Sequence, residues 1–230
     1  MYTPSILHTT AGDYPLAECR IAVGPREWVI AHTAAIVSRT DETRFLAKRA
    51  KEADAMPYGV ALWPAALALA HEIALRPLEF EGKRVLELGA GTGLPGIVAA
   101  SLGAEVIQTD RQELALHICK LNGQRNRATG IEYRMDDWNE WKDTDRYDWL
   151  IGSDILYADS LHDPLRRIFE SNLAPGGRIL LADPYRADSL PLLESMEAGG
   201  WRVTHSRWAI GESASTRPIA VYDIVPPTRN

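Results

Sequence analysis

One heptapeptide constrains this chain more than any other feature: Glu87-Leu88-Gly89-Ala90-Gly91-Thr92-Gly93. It follows the short apolar run Arg84–Leu88 and precedes a helix-forming stretch. Glycines at a strand-to-helix junction let the backbone turn tightly and approach a ligand closely. A helix starting there presents free N–H donors and a partial positive charge, which suit a negative ligand group. In an open α/β sheet that junction lies at the carboxyl end of a strand, where such sheets bind ligands.

The pattern downstream agrees with such a sheet. Strands are predicted at Arg84–Leu88, Glu105–Thr109, Ile131–Met135, Trp149–Gly152, Arg178–Ala182, Trp201–Arg207 and Ile219–Val225. Helices are predicted at Gly93–Leu102, Gln112–Asn122, Leu161–Leu173 and Leu190–Ala198. Strands alternating with helices imply parallel βαβ units. Two final strands with no helix between them imply an antiparallel hairpin at the edge. The expected fold is therefore a three-layer Rossmann-like α/β sandwich with a seven-stranded, mostly parallel sheet. Upstream, Arg20–Val23 and Glu27–Ala31 read as a hairpin around Gly24-Pro25, and Asp41–Lys51 as a helix. Pro64–Leu75 reads as a stronger helix ended by Pro77. We expect residues 1–55 to form an N-terminal extension and 56–230 the main domain.

Asp110 ends the second strand, 19 residues after Gly91. A carboxylate at that place can accept both hydroxyls of an adenosine ribose, and the spacing matches a dinucleotide fingerprint. Gly91-Thr92-Gly93-Leu94-Pro95-Gly96 even matches G-x-G-x-x-G. A dinucleotide-dependent enzyme and a purely structural glycine turn are thus rival readings. Against the dinucleotide enzyme stand Glu87, where its strand normally carries an apolar residue, the two adjacent C-terminal strands, and the lack of any hydride-transfer site downstream.

Composition narrows the setting. The net charge of −6 opposes a general attraction to phosphate backbones, so no nucleic-acid partner is expected. Cys19 and Cys119 form no C-x-x-C pair, and the six histidines have no ligand spacing, so no metal is expected. The most apolar stretch, Val60–Leu75, carries His71 and Glu72 and is too short to span a bilayer. No signal-peptide pattern is visible at the N-terminus, and a cytoplasmic monomer is expected. The run Gln124-Arg125-Asn126-Arg127 reads as a solvated turn.

Val85 to Asp110 resembles the first two motifs of class I S-adenosylmethionine-dependent methyltransferases. Three further segments, Leu62-Trp63-Pro64-Ala65-Ala66, Asp137-Trp138 and Ser153-Asp154-Ile155-Leu156-Tyr157, resemble the seven-strand protein lysine methyltransferases. The last contains a D-x-x-Y string. Asp183-Pro184-Tyr185-Arg186 is similar to the branch that includes the electron-transfer flavoprotein β-subunit lysine methyltransferase. The resemblance covers roughly residues 55 to 208. It implies S-adenosylmethionine as cofactor and S-adenosylhomocysteine as product. Gly89, Ala90, Gly91 and Gly93 would line its methionine part, with Glu87 supporting the loop. Asp110 would hold the ribose. Asp137, with Asp136 as a competitor, would hold the adenine amino group, and Trp138 would pack beside the adenine. Trp63 and Ser153 would complete the cofactor site. Asp154 and Tyr157 would line the methyl-transfer channel as the catalytic pair. The expected activity is N-methylation of a protein lysine. The alternatives are a small-molecule amine or nicotinamide-like acceptor, and a protein that binds the cofactor without turnover.

Overall fold

A computed structural model describes residues 5–9, 12–35, 60–211 and 216–227. The predicted helix Asp41–Lys51 and the boundary at 55/56 lie outside the described residues.

The chain opens with β1 (Ser5–Thr9), β2 (Gly12–Val23) and β3 (Arg26–His32), an antiparallel three-stranded sheet in that order. The predicted hairpin is its β2–β3 portion, with Val23 opposite Arg26 and Gly24 in left-handed backbone at the turn. Two short strands, β4 (Ala34–Ala35) and β5 (Ala61–Leu62), pair in parallel. Helix α1 (Pro64–Ala74) starts with proline at its first turn, where the missing N–H costs nothing. Pro77 does end α1, but it also starts a one-turn helix, α2 (Pro77–Phe80).

The main sheet contains β6 (Arg84–Leu88), β7 (Glu105–Asp110), β8 (Ile131–Met135), β9 (Tyr147–Ser153), β10 (Leu173–Asp183), β11 (Arg202–Ile210) and β12 (Arg217–Val225). Its spatial order is β11-β12-β10-β9-β6-β7-β8. Every pair is parallel except β10–β12 and β11–β12. The helices between strands are α3 (Leu94–Ser101), α4 (Glu113–Arg125), α5 (His162–Asn172) and α6 (Leu190–Ala198). Strand β10 begins five residues earlier than predicted, because the Pro175-Gly176-Gly177 segment pairs irregularly with β9 before the regular ladder starts at Arg178.

Alternation along the central strands builds two cores. Val85, Trp149, Ile151, Leu180 and Ala182 face α1, α3 and the N-terminal sheet, where Trp28 and Ile30 join them. Leu86, Leu150, Ile179 and Leu181 face α5 and α6, against Leu165, Phe169, Leu192 and Met196. The sheet is thus the middle of three layers, as expected.

Glu72, the charge inside the apolar helix α1, is buried but fully engaged. It accepts from Arg76 at 2.6 Å, Ser206 Oγ at 2.6 Å and Trp208 Nε1 at 2.8 Å. Arg76 also pairs with Asp223 on β12 at 2.6 Å. These bonds to β11 and β12 account for a charged pair on the buried side of a helix, since a buried charge requires a partner.

The segment read as a solvated turn differs. Asn126 is buried, and Arg125 pairs with Glu18 at 2.6 Å. Asn126 Oδ1 accepts from Val29 N, and its Nδ2 donates to Val29 O. One turn earlier on α4, Asn122 does the same with Ala31 N and O. Two side-chain amides thus pair with the edge of β3 as a neighbouring strand would. A contact made 91 to 97 residues away in sequence leaves no local signal.

Candidate active site

Strand order reverses direction at β6 and β9: the chain leaves β6 toward β7 on one side and returns to β9 on the other. A crevice forms at such a switch point. The glycine turn rises from β6 and the D-x-x-Y segment from β9, so topology brings the two motifs together.

The turn is held from below. Gly89, Gly91 and Gly93 adopt φ of 64°, 58° and 78°, the left-handed region that side chains disfavour. Ala90 N donates to Thr109 O on β7 at 2.9 Å, and Gly93 N to Ala90 O at 2.7 Å. Glu87 is buried behind the turn, where Oε2 accepts from Gly96 N at 3.1 Å and from Gln108 Nε2 at 2.6 Å. Gln108 also donates to Gly93 O at 2.8 Å. A Cβ on Gly96 would run into the Glu87 carboxylate and the Gln108 amide. Glu87 therefore shapes the turn and the first turn of α3. Burial pushes its carboxyl up to about 8, against the pull of its two donors.

Asp110 ends β7 beside the turn. Its Oδ2 accepts from Gly91 N at 3.1 Å and its Oδ1 from Gln112 N at 2.9 Å. Burial raises its pKa, while those backbone donors lower it. Each oxygen has taken one backbone bond, and a carboxylate has about four acceptor sites, so capacity remains for two hydroxyls.

After β8, Asp136 N donates to Asp110 O at 3.1 Å, which ties the two strand ends together. Asp136 is half-buried, with a carboxyl raised by burial. Asp137 is exposed and caps a short turn, accepting from Asn139 N at 2.8 Å. Trp138 packs its ring edge over the turn: a Cβ on Gly89 would meet Trp138 Cζ2 at 3.3 Å. Trp141 belongs to the core instead, bonded through Nε1 to Asn172. Trp63 is half-buried at the N-cap of α1.

Ser153 is half-buried at the end of β9, paired with Ala182 of β10. Asp154 follows with φ of 57°, uncommon for a residue other than glycine, and its N donates to Ala182 O at 2.9 Å. Its carboxylate is mostly buried, and burial pushes it up to about 6 despite the nearby Arg186 guanidinium. Ile155 is buried directly under both motifs. A Cβ on Gly152 would meet Ile155 Cδ1 at 2.5 Å, and one on Gly89 would meet Ile155 Cγ2 at 3.0 Å. Tyr157 stands exposed at the rim. Sequence reasoning missed Gln108, Gly152, Ile155 and Arg186. The glycine next to the D-x-x-Y string was the available signal for the close packing.

Antiparallel β12, inserted between β10 and β11, removes the dinucleotide-enzyme reading, which requires a second parallel half. The three glycines of the turn, the buried carboxylate of Asp110 and the aromatic edge of Trp138 suit an amino-acid-bearing nucleoside. The fold is that of the class I methyltransferases. A lysine methyltransferase family model matches residues 46–193. The chain is 32% identical over 184 residues to protein N-lysine methyltransferase METTL21A of Danio rerio, covering 77% of this chain and 72% of that protein. It is also 37% identical over 106 residues to histone-arginine methyltransferase METTL23 of Xenopus laevis, covering 44% and 45%. Among solved structures, magnesium protoporphyrin IX methyltransferase from Synechocystis PCC 6803 with bound S-adenosylmethionine superposes with a TM-score of 0.55, at 16% identity, over 69% of this chain and 78% of that one. The chain belongs to the lysine methyltransferase family.

Proposed function

We propose that this chain methylates the side-chain nitrogen of a protein lysine, with Asp154 receiving the amine and Tyr157 flanking it. The observation that carries this reading is a buried carboxylate at the end of β9, at the switch point and packed through Ile155 against the glycine turn.

When bound, S-adenosylmethionine supplies an electrophilic methyl group on sulfonium and leaves as S-adenosylhomocysteine. Gly89, Ala90, Gly91 and Gly93 would hold its methionine part and Asp110 its ribose. Asp136 or Asp137 would meet the adenine amino group beside Trp138, with Trp63 and Ser153 at the margins. The chain's own task is to orient the acceptor nitrogen and have it unprotonated. A free lysine titrates near ~10.4 and the Asp154 carboxyl at about 6. Proton transfer from the ammonium to Asp154 is therefore uphill by roughly 6 kcal/mol. Asp154 acts as the group that binds and aims the amine, and the proton leaves to solvent. Tyr157 would pack on the alkyl stem.

A protein arginine acceptor is the second reading. Asp154 already holds one guanidinium, that of Arg186, at 2.5 Å. No helix among the described residues is long and apolar enough to cross a membrane. We infer a cytoplasmic monomer that does not bind nucleic acid, in keeping with the net charge of −6.

The test is transfer of labelled methyl groups from the cofactor to a cell extract split into macromolecular and small-molecule fractions. A discrete protease-sensitive band carrying methyl-lysine is expected. Methyl-arginine in that band would replace lysine by the second reading, and label confined to small molecules would overturn both. Asp154→Ala should abolish transfer while cofactor binding persists. Full transfer by that variant would remove Asp154 from the acceptor site.

A further inference from the structure

Strands β9 and β10 end side by side, and each leaves the sheet through left-handed backbone close beyond its end. At Asp154 φ is 57°, and at Tyr185 it is 59°. Such conformations are strained for residues with a Cβ, and they persist where surrounding bonds determine them. Here those bonds converge on Arg186. Its backbone N donates to Asp183 Oδ1 at 2.7 Å and its Nη1 to Asp183 Oδ2 at 3.0 Å. Its Nη2 lies 2.5 Å from Asp154 Oδ1. Asp183 has no solvent exposure. Both carboxylate oxygens of Asp154 are buried: Oδ1 has its ion pair with Arg186 and no hydrogen bond of good geometry, and Oδ2 has neither among the described residues.

An orphaned carboxylate oxygen is costly unless something comes to meet it. We propose that Arg186 is a positioning residue: gripped by Asp183, it pins Oδ1 of Asp154 and so leaves Oδ2 as the atom that receives the acceptor cation. This rests on the reading of Asp154 as the acceptor-binding group. Asp154, Asp183 and Arg186 sum to −1 when both carboxylates are ionised, and Arg217 on β12, the last and smallest influence on Asp154, brings the four to zero. Without Arg186, two neighbouring buried carboxylates would repel and one would take a proton; the pair would still carry −1, but with the proton on Asp154 the charge facing the acceptor cation would be gone. Arg186 thus makes the site selective for a charged side chain over a neutral amide of similar shape.

The test uses the full chain with 13C-labelled aspartate carboxyls, the Asp154 resonance being assigned by its loss in Asp154→Asn. In Arg186→Gln the Asp154 titration midpoint should rise by at least one pH unit, a tenfold change in proton affinity. Arg186→Lys keeps the charge but cannot bridge both carboxylates, and should shift it part of the way. Binding of S-adenosylhomocysteine, followed by calorimetry, reports that each variant is folded. An unchanged midpoint in a folded variant overturns the proposal, and the lysine variant decides in the same way if the glutamine variant does not fold. Methyl incorporation into extract protein is then followed against pH, and its acid limb should move with the resonance. If the resonance moves and the limb stays, Asp154 is not at the acceptor, and the reading beneath the proposal fails instead.

Discussion

Glu87→Gln isolates what the buried carboxyl behind the glycine turn contributes to stability. Both hydrogen bonds from Gly96 and Gln108 end on one oxygen, Oε2, so a glutamine carbonyl can keep them both. The substitution removes only the ability to ionise. In the folded protein the carboxyl titrates at about 8, against 4.5 ordinarily, with burial as the main cause and Asp110 adding to it. A group whose folded pKa is raised stabilises fully below its unfolded pKa and loses that contribution as pH rises through the folded value. At ~1.36 kcal/mol per unit, wild-type stability should fall by roughly 4 kcal/mol from this group alone between about pH 5 and 8.5. The variant should lack that slope. Urea unfolding across the window, followed by tryptophan fluorescence without cofactor, reads it directly. A variant with the wild-type slope would show that another group titrates and that Glu87 is ionised behind the turn. Glu87→Ala is the contrasting case: it orphans the Gly96 N–H, leaves Gln108 Nε2 with its bond to Gly93 O alone, and should destabilise at every pH, by about 2–4 kcal/mol.

Gly152→Ala forces Ile155 aside, because the new methyl would lie 2.5 Å from its Cδ1. We expect a loss of about 1–3 kcal/mol in denaturant unfolding and a rise in the acceptor KM, since Ile155 is the neighbour of Asp154. Asp110→Ala removes the acceptor of the Gly91 and Gln112 N–H groups along with the proposed ribose contact. Calorimetry should show cofactor affinity at least tenfold weaker, and wild-type affinity would disprove the assignment. Asn122→Ala releases Ala31 and also Thr92 O, which Asn122 Nδ2 holds at 2.9 Å. It should lower the melting temperature by several degrees and weaken the cofactor, whereas a purely local role would change only the first.

The sheet was readable because its signals are local. Short apolar runs such as Arg84–Leu88, the glycines at positive φ and the paired C-terminal strands each declare themselves within a few residues. The D-x-x-Y aspartate could be singled out as a candidate for the same reason. Its partner was not: Arg186 stood in a segment read for family likeness, and nothing in sequence spacing says that β9 and β10 end together. Asn126, at the end of α4, was misread as part of a solvated turn because its partner Val29 lies in the N-terminal sheet. Boundaries shifted where packing overrode propensity, as at the start of β10, where a proline and two glycines still joined the strand.

The Asn122 side chain touches two places at once, the edge of β3 and the carbonyl of Thr92 inside the glycine turn. A single amide group therefore couples the N-terminal sheet to the glycine turn. Opening either one removes a bond that holds Asn122 in place for the other. In hydrogen exchange, the Ala31 amide should consequently slow when cofactor is added, although no cofactor atom need come near it.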